Sequence, residues 1–275
     1  MRIRISHATT YRYDTPPSGV TQMLRLTPHD HDGQHVIDWR IDLTVDCLLH
    51  QHEDAFGNIA HSFTAEGPLE ALTVAVEGEV DTQETHGVVR GTVERFPPPL
   101  YLRETALTLS DPPIVDFAET VRAEAGSDPL TLLHALLTAV NREMTFDTDP
   151  THAATTAAEA FSLRRGVCQD LTHVYLAAAR HLGMPARYVA GHLCRADGVT
   201  AQDAGHAWAE VYLDDIGWAG FDPTNGICST QAHVRVAVGL DYLGAAPVRG
   251  SRHGGTGESL QVAVRVGQAR RQAQT

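Results

Sequence analysis

The chain of 275 residues contains no lysine, so every permanent side-chain cation is an arginine. That absence reads as a compositional bias, since arginine can serve on most surfaces. Positive charge is scarce altogether: 21 Lys+Arg against 34 Asp+Glu leave a formal net charge of -13. The arginines are scattered and form no basic stripe. A balance of that sign repels both nucleic acid and an anionic membrane surface, so neither is expected as a partner. No apolar run approaches the ~20 residues that a membrane-spanning helix needs. Met1-Arg2-Ile3-Arg4-Ile5-Ser6-His7 lacks the apolar core of a secretory leader, and the sequence places the protein in the cytoplasm. The four cysteines, Cys47, Cys168, Cys194 and Cys228, show neither CxxC spacing nor the density of a disulfide scaffold, which leaves reduced thiols as the expectation. Cys194 and Cys228 sit among apolar or small residues and read as buried structural thiols.

What is present is an ordinary globular balance, 43% hydrophobic and 20% charged, long enough for one large domain or two modest ones. The first part reads as strands: Ile3–Ile5, Thr9–Tyr13, Met23–Leu26, the long alternation Val36–Val45, and Leu72–Val80. Period-two patterning with Asp-Gly and Gly-Asn turns between runs predicts an antiparallel sheet or sandwich. Pro97-Pro98-Pro99 then excludes both helix and central strand and marks a boundary. Beyond it the period changes to helix over Asp116–Ala125 and Leu130–Met144, with Leu132, Leu133, Leu136, Leu137 and Val140 as one apolar stripe. Thr156, three residues before Glu159, predicts a capping box. After Asn225 short strands return, at Val234–Val238 and Leu260–Val264, and the tail from Gly267 to Thr275 is polar and expected to fray. The fold class is α+β: a β-rich domain over 1–95, then a domain over 96–275 that carries the helices and the C-terminal strands.

Three fragments carry chemistry. Arg165-Gly166-Val167-Cys168-Gln169-Asp170 opens an amphipathic helix that runs through Leu171, Val174, Tyr175, Ala178 and Leu182 and stops at Gly183. A cysteine at that edge faces unpaired N–H groups and the positive end of the helix dipole, which favour the thiolate. Gly205-His206-Ala207-Trp208-Ala209-Glu210-Val211 and Gly217-Trp218-Ala219-Gly220-Phe221-Asp222-Pro223 read as two strands of a hairpin. In an extended strand His206, Trp208, Glu210 and Tyr212 share one face, as do Trp218, Gly220 and Asp222. If Tyr212 pairs with Trp218, then Asp222 becomes the diagonal neighbour of His206, roughly 7–8 Å away and within side-chain reach. A slip of one residue would put Asp222 on the wrong face. A thiol, an imidazole and a carboxylate in this order are what covalent acyl transfer requires: Cys168 attacks, His206 takes its proton, and Asp222 sets the tautomer of the ring. Each residue alone has an ordinary structural explanation; the matched face, order and helix-end placement together favour the functional one. A zinc site would combine Cys168 with histidines at no recognised spacing, so no metal is expected.

At these residues, and at Thr155–Ala160, Arg235–Tyr242 and Ala246–Gly250, the chain resembles the bacterial transglutaminase-like superfamily. Leu171-Thr172 departs slightly from the family pattern, where an aromatic followed by alanine is commoner. The resemblance implies a papain-like core with an accompanying N-terminal β-domain, Cys168 as nucleophile, His206 as general base, Asp222 as its orienting partner, and no cofactor. It also implies a peptide or protein substrate, and a link to a peptide ligase of the ATP-grasp type suggests a peptide or γ-glutamyl-like one. Gln169, Trp208 and Arg249 are candidate substrate contacts, Arg249 with Arg252 and His253 for a substrate carboxylate. The expected reaction is thioester-mediated hydrolysis of a peptide or isopeptide bond. Amine transfer by a true transglutaminase, acyl transfer of the arylamine acetyltransferase kind, and an inactive binding module are the alternatives. The histidine-rich stretch Pro28–His35 reads as a solvated loop, and Gly254-Gly255-Thr256-Gly257 lacks the lysine and frame of a phosphate loop.

Overall fold

The computed structural model describes residues 1–269. Six strands open the chain: β1 (Arg2–Thr15), β2 (Gly19–Thr27), β3 (Gln34–Leu43), β4 (His50–Glu53), β5 (Ile59–Glu66) and β6 (Ala71–Thr82). Four helices follow, α1 (Pro112–Ala125), α2 (Pro129–Glu143), α3 (Ala157–Leu163) and α4 (Cys168–His181). Then come β7 (Ala186–Leu193), β8 (His206–Leu213), β9 (Gly217–Asp222) and β10 (His233–Gly239). The short helix α5 (Tyr242–Ala245) and the strands β11 (Val248–His253) and β12 (Thr256–Gln268) complete it. The α+β class and the change of period near the prolines are as the sequence predicts. Ile3–Ile5 and Thr9–Tyr13 are one strand rather than two, and β4 and β5, which the pattern did not suggest, lie between β3 and β6.

The long strands form three antiparallel sheets. The first runs β12-β1-β6-β3 and the second β11-β2-β5-β4. These two pack as a sandwich around Tyr13, Leu24, Phe63, Leu72, Val74 and Val76. The third runs β9-β8-β7-β10 and carries the helices. The division at residue 96 fails for the C-terminal strands. β11 pairs with β2 and β12 with β1, so the end of the chain is built into the sheets of the first ninety residues. The physical reason is at the edges: β1 and β2 would otherwise each expose a row of unpaired N–H and C=O groups. Gly254 and Gly255 make the β11–β12 turn, with φ +70 and +71, a conformation that favours glycine. The polar tail is ordered as far as Gln268 in β12; the expectation of fraying beyond 269 lies outside the described residues.

α4 is packed on nearly every face, with residues 170–180 all buried, so it forms the centre of the half that holds the third sheet. Around it pack Leu133, Leu136 and Val140 of α2, Phe161 of α3, and Ala207, Ala209 and Val211 of β8. Gly183, φ +83, stops the helix as its position in the sequence implies. Arg180, in the last turn, donates to the carbonyls of Tyr101, Ala186 and Leu240 and to Thr108 Oγ1, which pins that end of the helix. The outer edge of β10 is closed by side-chain amides from the β-rich half. Gln34 pairs with both the N–H and the C=O of Arg235, and Asn58 does the same with Val238, at 2.8 Å throughout. No helix of the described residues is long and apolar enough to cross a membrane.

Candidate active site

Cys168 is the first residue of α4. Asp170, three residues past the cap position Val167, turns its carboxylate back: Oδ2 accepts from the Val167 N–H at 2.8 Å and from Thr151 Oγ1 at 2.7 Å. Gly166 lets that carboxylate in, since a Cβ there would lie 2.5 Å from Asp170 Oδ2. The Gly-Val-Cys-Gln-Asp fragment is therefore a clamp that holds the thiol at the tip of the helix. Cys168 is partly buried there, beside backbone N–H groups that have no partner within the helix. Gln169 turns away, donating from Nε2 to the Ala153 carbonyl at 3.3 Å.

The hairpin has the register that the faces require: Tyr212 opposes Trp218 and Ala209 opposes Phe221. His206 is the first residue of β8, so its ring stands at a strand end where α4 also points. His206 Nε2–H donates to Asp222 Oδ2 at 2.7 Å. The other ring nitrogen, Nδ1, is not engaged by Asp222, and Cys168 stands close enough to add to the upward push on the imidazole. Burial by itself would push the imidazole pKa down; the hydrogen bond and charge of Asp222, with a smaller contribution from Cys168, overcome it and hold the ring charged, up to about 10. Burial would raise Asp222, but the charge and hydrogen bond of His206, with His233, hold its carboxyl far below the usual range. The three other thiols, of Cys47, Cys194 and Cys228, are pushed up, in each case first by burial.

Asp222 is fully buried, and every polar neighbour is a donor. Oδ2 accepts from His206 Nε2, from Asn225 Nδ2 at 2.7 Å and from His233 Nε2 at 3.1 Å. Oδ1 accepts from the backbone N–H groups of Thr224 and Asn225 at 3.1 and 3.2 Å. Potential ligand atoms of His206, Asp222 and His233 lie within 4.8 Å of one another. Both imidazoles present Nε2–H to the carboxylate, and those protons occupy the lone pairs a cation needs. The arrangement is a hydrogen-bonded anion rather than a chelate.

The structure brings Cys168, His206 and Asp222 together and separates the other candidates. Trp208, a candidate substrate contact, is 2% exposed, so it touches no substrate. Its indole packs under the site instead, stacked on His206 and edge-on to His233, with centroids 6.1 and 5.1 Å apart. The reason is the strand itself: even-numbered residues of β8 face the β-rich half, where Trp208 joins Val189 and Val238. Arg249 is exposed on β11 and donates to the Leu243 carbonyl at 2.9 Å. It stands within electrostatic reach of Tyr242, as does Cys168, and meets no carboxylate among the described residues. Arg252 is engaged within the hairpin by Glu258 at 3.6 Å and the Gly254 carbonyl.

Two features escaped sequence reasoning. His233 reaches Asp222 from β10, which is separated from β9 by two strands, and no pairing rule links them. Glu210, in the histidine fragment, is fully buried between Arg187 Nε at 2.7 Å and Arg235 Nε at 2.8 Å. The two arginines hold its carboxyl down to about 2 against the upward push of burial. The strand alternation that puts Glu210 on the face of His206 was the available signal.

Residues 3–81 match the model of the bacterial transglutaminase-like N-terminal region, and 116–223 that of the transglutaminase-like superfamily. An uncharacterized protein of Mycobacterium leprae is 28% identical over 279 residues, spanning 96% of this chain and 98% of its own. One from Mycobacterium tuberculosis is 29% identical over 274 residues, spanning 90% of this chain and 87% of its own. A crystal structure from Cytophaga hutchinsonii, described as a candidate cysteine protease, shares the fold with TM-score 0.75 and 19% identity, over 96% of this chain and 90% of that one. With its N-terminal region and its core both matched, the chain belongs to the bacterial transglutaminase-like superfamily.

Proposed function

We propose that the protein is a cysteine hydrolase of peptide or isopeptide-type amide bonds, working through a thioester on Cys168. The observation that carries this is the setting of His206: Nε2 is bonded at 2.7 Å to a buried carboxylate, and Cys168 at the helix tip stands close enough to act on the ring. The charged His206 ring holds the proton that the leaving group needs. The sulfur adds to the amide carbonyl, and the developing oxyanion is met by the Cys168 backbone N–H. The C–N bond breaks as the His206 Nδ1 proton passes to the leaving amine. Water, deprotonated by His206, then attacks the thioester and releases the acid, and the thiolate–imidazolium pair is restored.

Hydrolysis is favoured over amine transfer because Cys168 is only partly buried and water is present at far higher concentration than any amine. The chain also has no lysine through which it could crosslink itself. Arg249, exposed near Tyr242 and without an acidic partner among the described residues, is the cation we assign to a carboxylate on the substrate. The test is an acid-quenched reaction with a peptide pool, analysed by mass spectrometry for an acyl adduct on the Cys168 peptide. An adduct that disappears with water supports hydrolysis, and one resolved only by added amine overturns it in favour of transfer. Cys168→Ala is expected to abolish adduct and turnover while circular dichroism is unchanged. Equal alkylation by iodoacetamide of all four cysteines below their ordinary pKa of about 8.5 would sink the assignment of Cys168.

A further inference from the structure

His233 touches the Cys168–His206–Asp222 cluster but has no part in the proposed reaction. Its ring is fixed from three sides. Nδ1 accepts the Thr230 N–H at 3.0 Å, so the proton resides on Nε2, and Nε2–H donates to Asp222 Oδ2 at 3.1 Å. The third side is the edge-on Trp208 indole, which also stacks on His206. The ring is 6% exposed as a residue, out of reach of substrate. Behind the site stand His192, which is electrostatically coupled to His206, and His7, whose ring meets His192 edge-on at 5.6 Å. Burial holds these two low, to about 3 and about 4, so neither competes as a cation for the carboxylate.

We propose that His233 is a positioning residue: by donating Nε2–H from β10 it locks the Asp222 carboxylate in the rotation that aims His206 Nδ1 at Cys168. The inference rests on the reading of Cys168 as nucleophile given above. The terminal torsion of an aspartate is broad and roughly two-fold, so one donor does not fix it. Asn225 and the turn N–H groups come from the same short segment as Asp222 and move with it. His233 comes from a strand three places away in the sheet, so among the described residues it alone ties the carboxylate to the far side of the fold. The same oxygen serves both imidazoles, so a turn of the carboxylate that frees one loosens the other.

Two experiments test this. In the wild-type protein, ¹⁵N NMR of the histidines near neutral pH is expected to show His233 protonated at Nε2 and not at Nδ1. The opposite tautomer, or protonation at both, overturns the proposal. In His233→Ala, alkylation of Cys168 by iodoacetamide at about pH 6 is expected to fall about tenfold, while the rate at about pH 10 stays within about threefold of wild type. His233→Gln keeps an N–H donor and is expected to recover to within about threefold at about pH 6. An alanine variant that keeps the wild-type acid rate, or a glutamine variant that loses as much as alanine, overturns it; a purely structural role would change melting temperature without this pH signature. Should the alanine variant fail to fold, the glutamine variant and the tautomer decide. A wild-type Cys168 no faster than the other three thiols would instead end the nucleophile reading and leave the tautomer result standing.

Discussion

Asparagine in place of Asp222 keeps the shape and removes the charge, and the structure makes it far from silent. Five donors surround the carboxylate, three on Oδ2 and two on Oδ1. An amide has one oxygen. With that oxygen toward His206, His233 and Asn225, its NH₂ faces the N–H groups of Thr224 and Asn225; turned over, it faces three donors instead. At least two donors lose their acceptor, at about 1–3 kcal/mol each, so the variant is expected to be less stable by about 2–6 kcal/mol. The chemical effect is larger. Without the carboxylate, burial dominates His206 and its pKa falls from about 10 to below the ordinary value. The charged ring that the proposed reaction relies on is then lost, and kcat/KM is expected to drop roughly 10³- to 10⁴-fold. The sign follows from the raised imidazole: its stabilisation is complete below pH 6.5 and lost as pH climbs through about 10, so the stability gap narrows at high pH to the part due to the orphaned donors. Urea denaturation across pH, together with Cys168 alkylation followed by mass spectrometry, measures both effects. An Asp222→Asn protein with the wild-type denaturation midpoint and undiminished acid-side alkylation would refute the argument.

Acid lability is a second expectation. His7, His173 and His192 are buried and lowered, first by burial, to about 4, about 3 and about 3. The unfolded chain binds these protons from about pH 6.5 downward while the folded chain refuses them, so stability is complete above that value and is lost below it. Each contributes about 1.4 kcal/mol per pH unit, about 4 for the three together. A urea midpoint that stays flat between about pH 6.5 and about pH 5 contradicts this. Gly166→Ala should place a Cβ 2.5 Å from Asp170 Oδ2 and 2.7 Å from its Cβ, breaking the clamp on Val167. A loss of about 1–3 kcal/mol is expected, with slower alkylation of Cys168; calorimetry and the same labelling assay check it.

The legible parts of the molecule are local. Cys168 at a helix tip follows from the glycine stop at Gly183 and the apolar period before it, because a helix declares its ends through residues a few places away. The Thr156–Glu159 capping box formed for the same reason. Tyr212 opposite Trp218 followed from strand alternation across a short loop, where a single register keeps His206 and Asp222 on one face. Trp208 shared that face, and its placement as a substrate contact failed because alternation gives the face of a strand without saying what covers it. β4 was missed because the exposed, polar edge residues His50–Glu53 carry no period to read, and β5 because its buried positions are mostly small or polar residues, Ala60, His61 and Ala65, with Phe63 the one large apolar side chain.

By itself, then, the sequence determined the α+β class, the helix that offers the thiol, and the hairpin that offers its imidazole and carboxylate, since each is set by residues within about twenty positions. Only the tertiary structure decided the rest. It returned β11 and β12 to the first two sheets, sealed the edge of β10 with Gln34 and Asn58, buried Glu210 between two arginines, and brought His233 to Asp222. These contacts join segments whose pairing answers to unsatisfied edges and buried charge in the folded whole, and no local pattern encodes that demand.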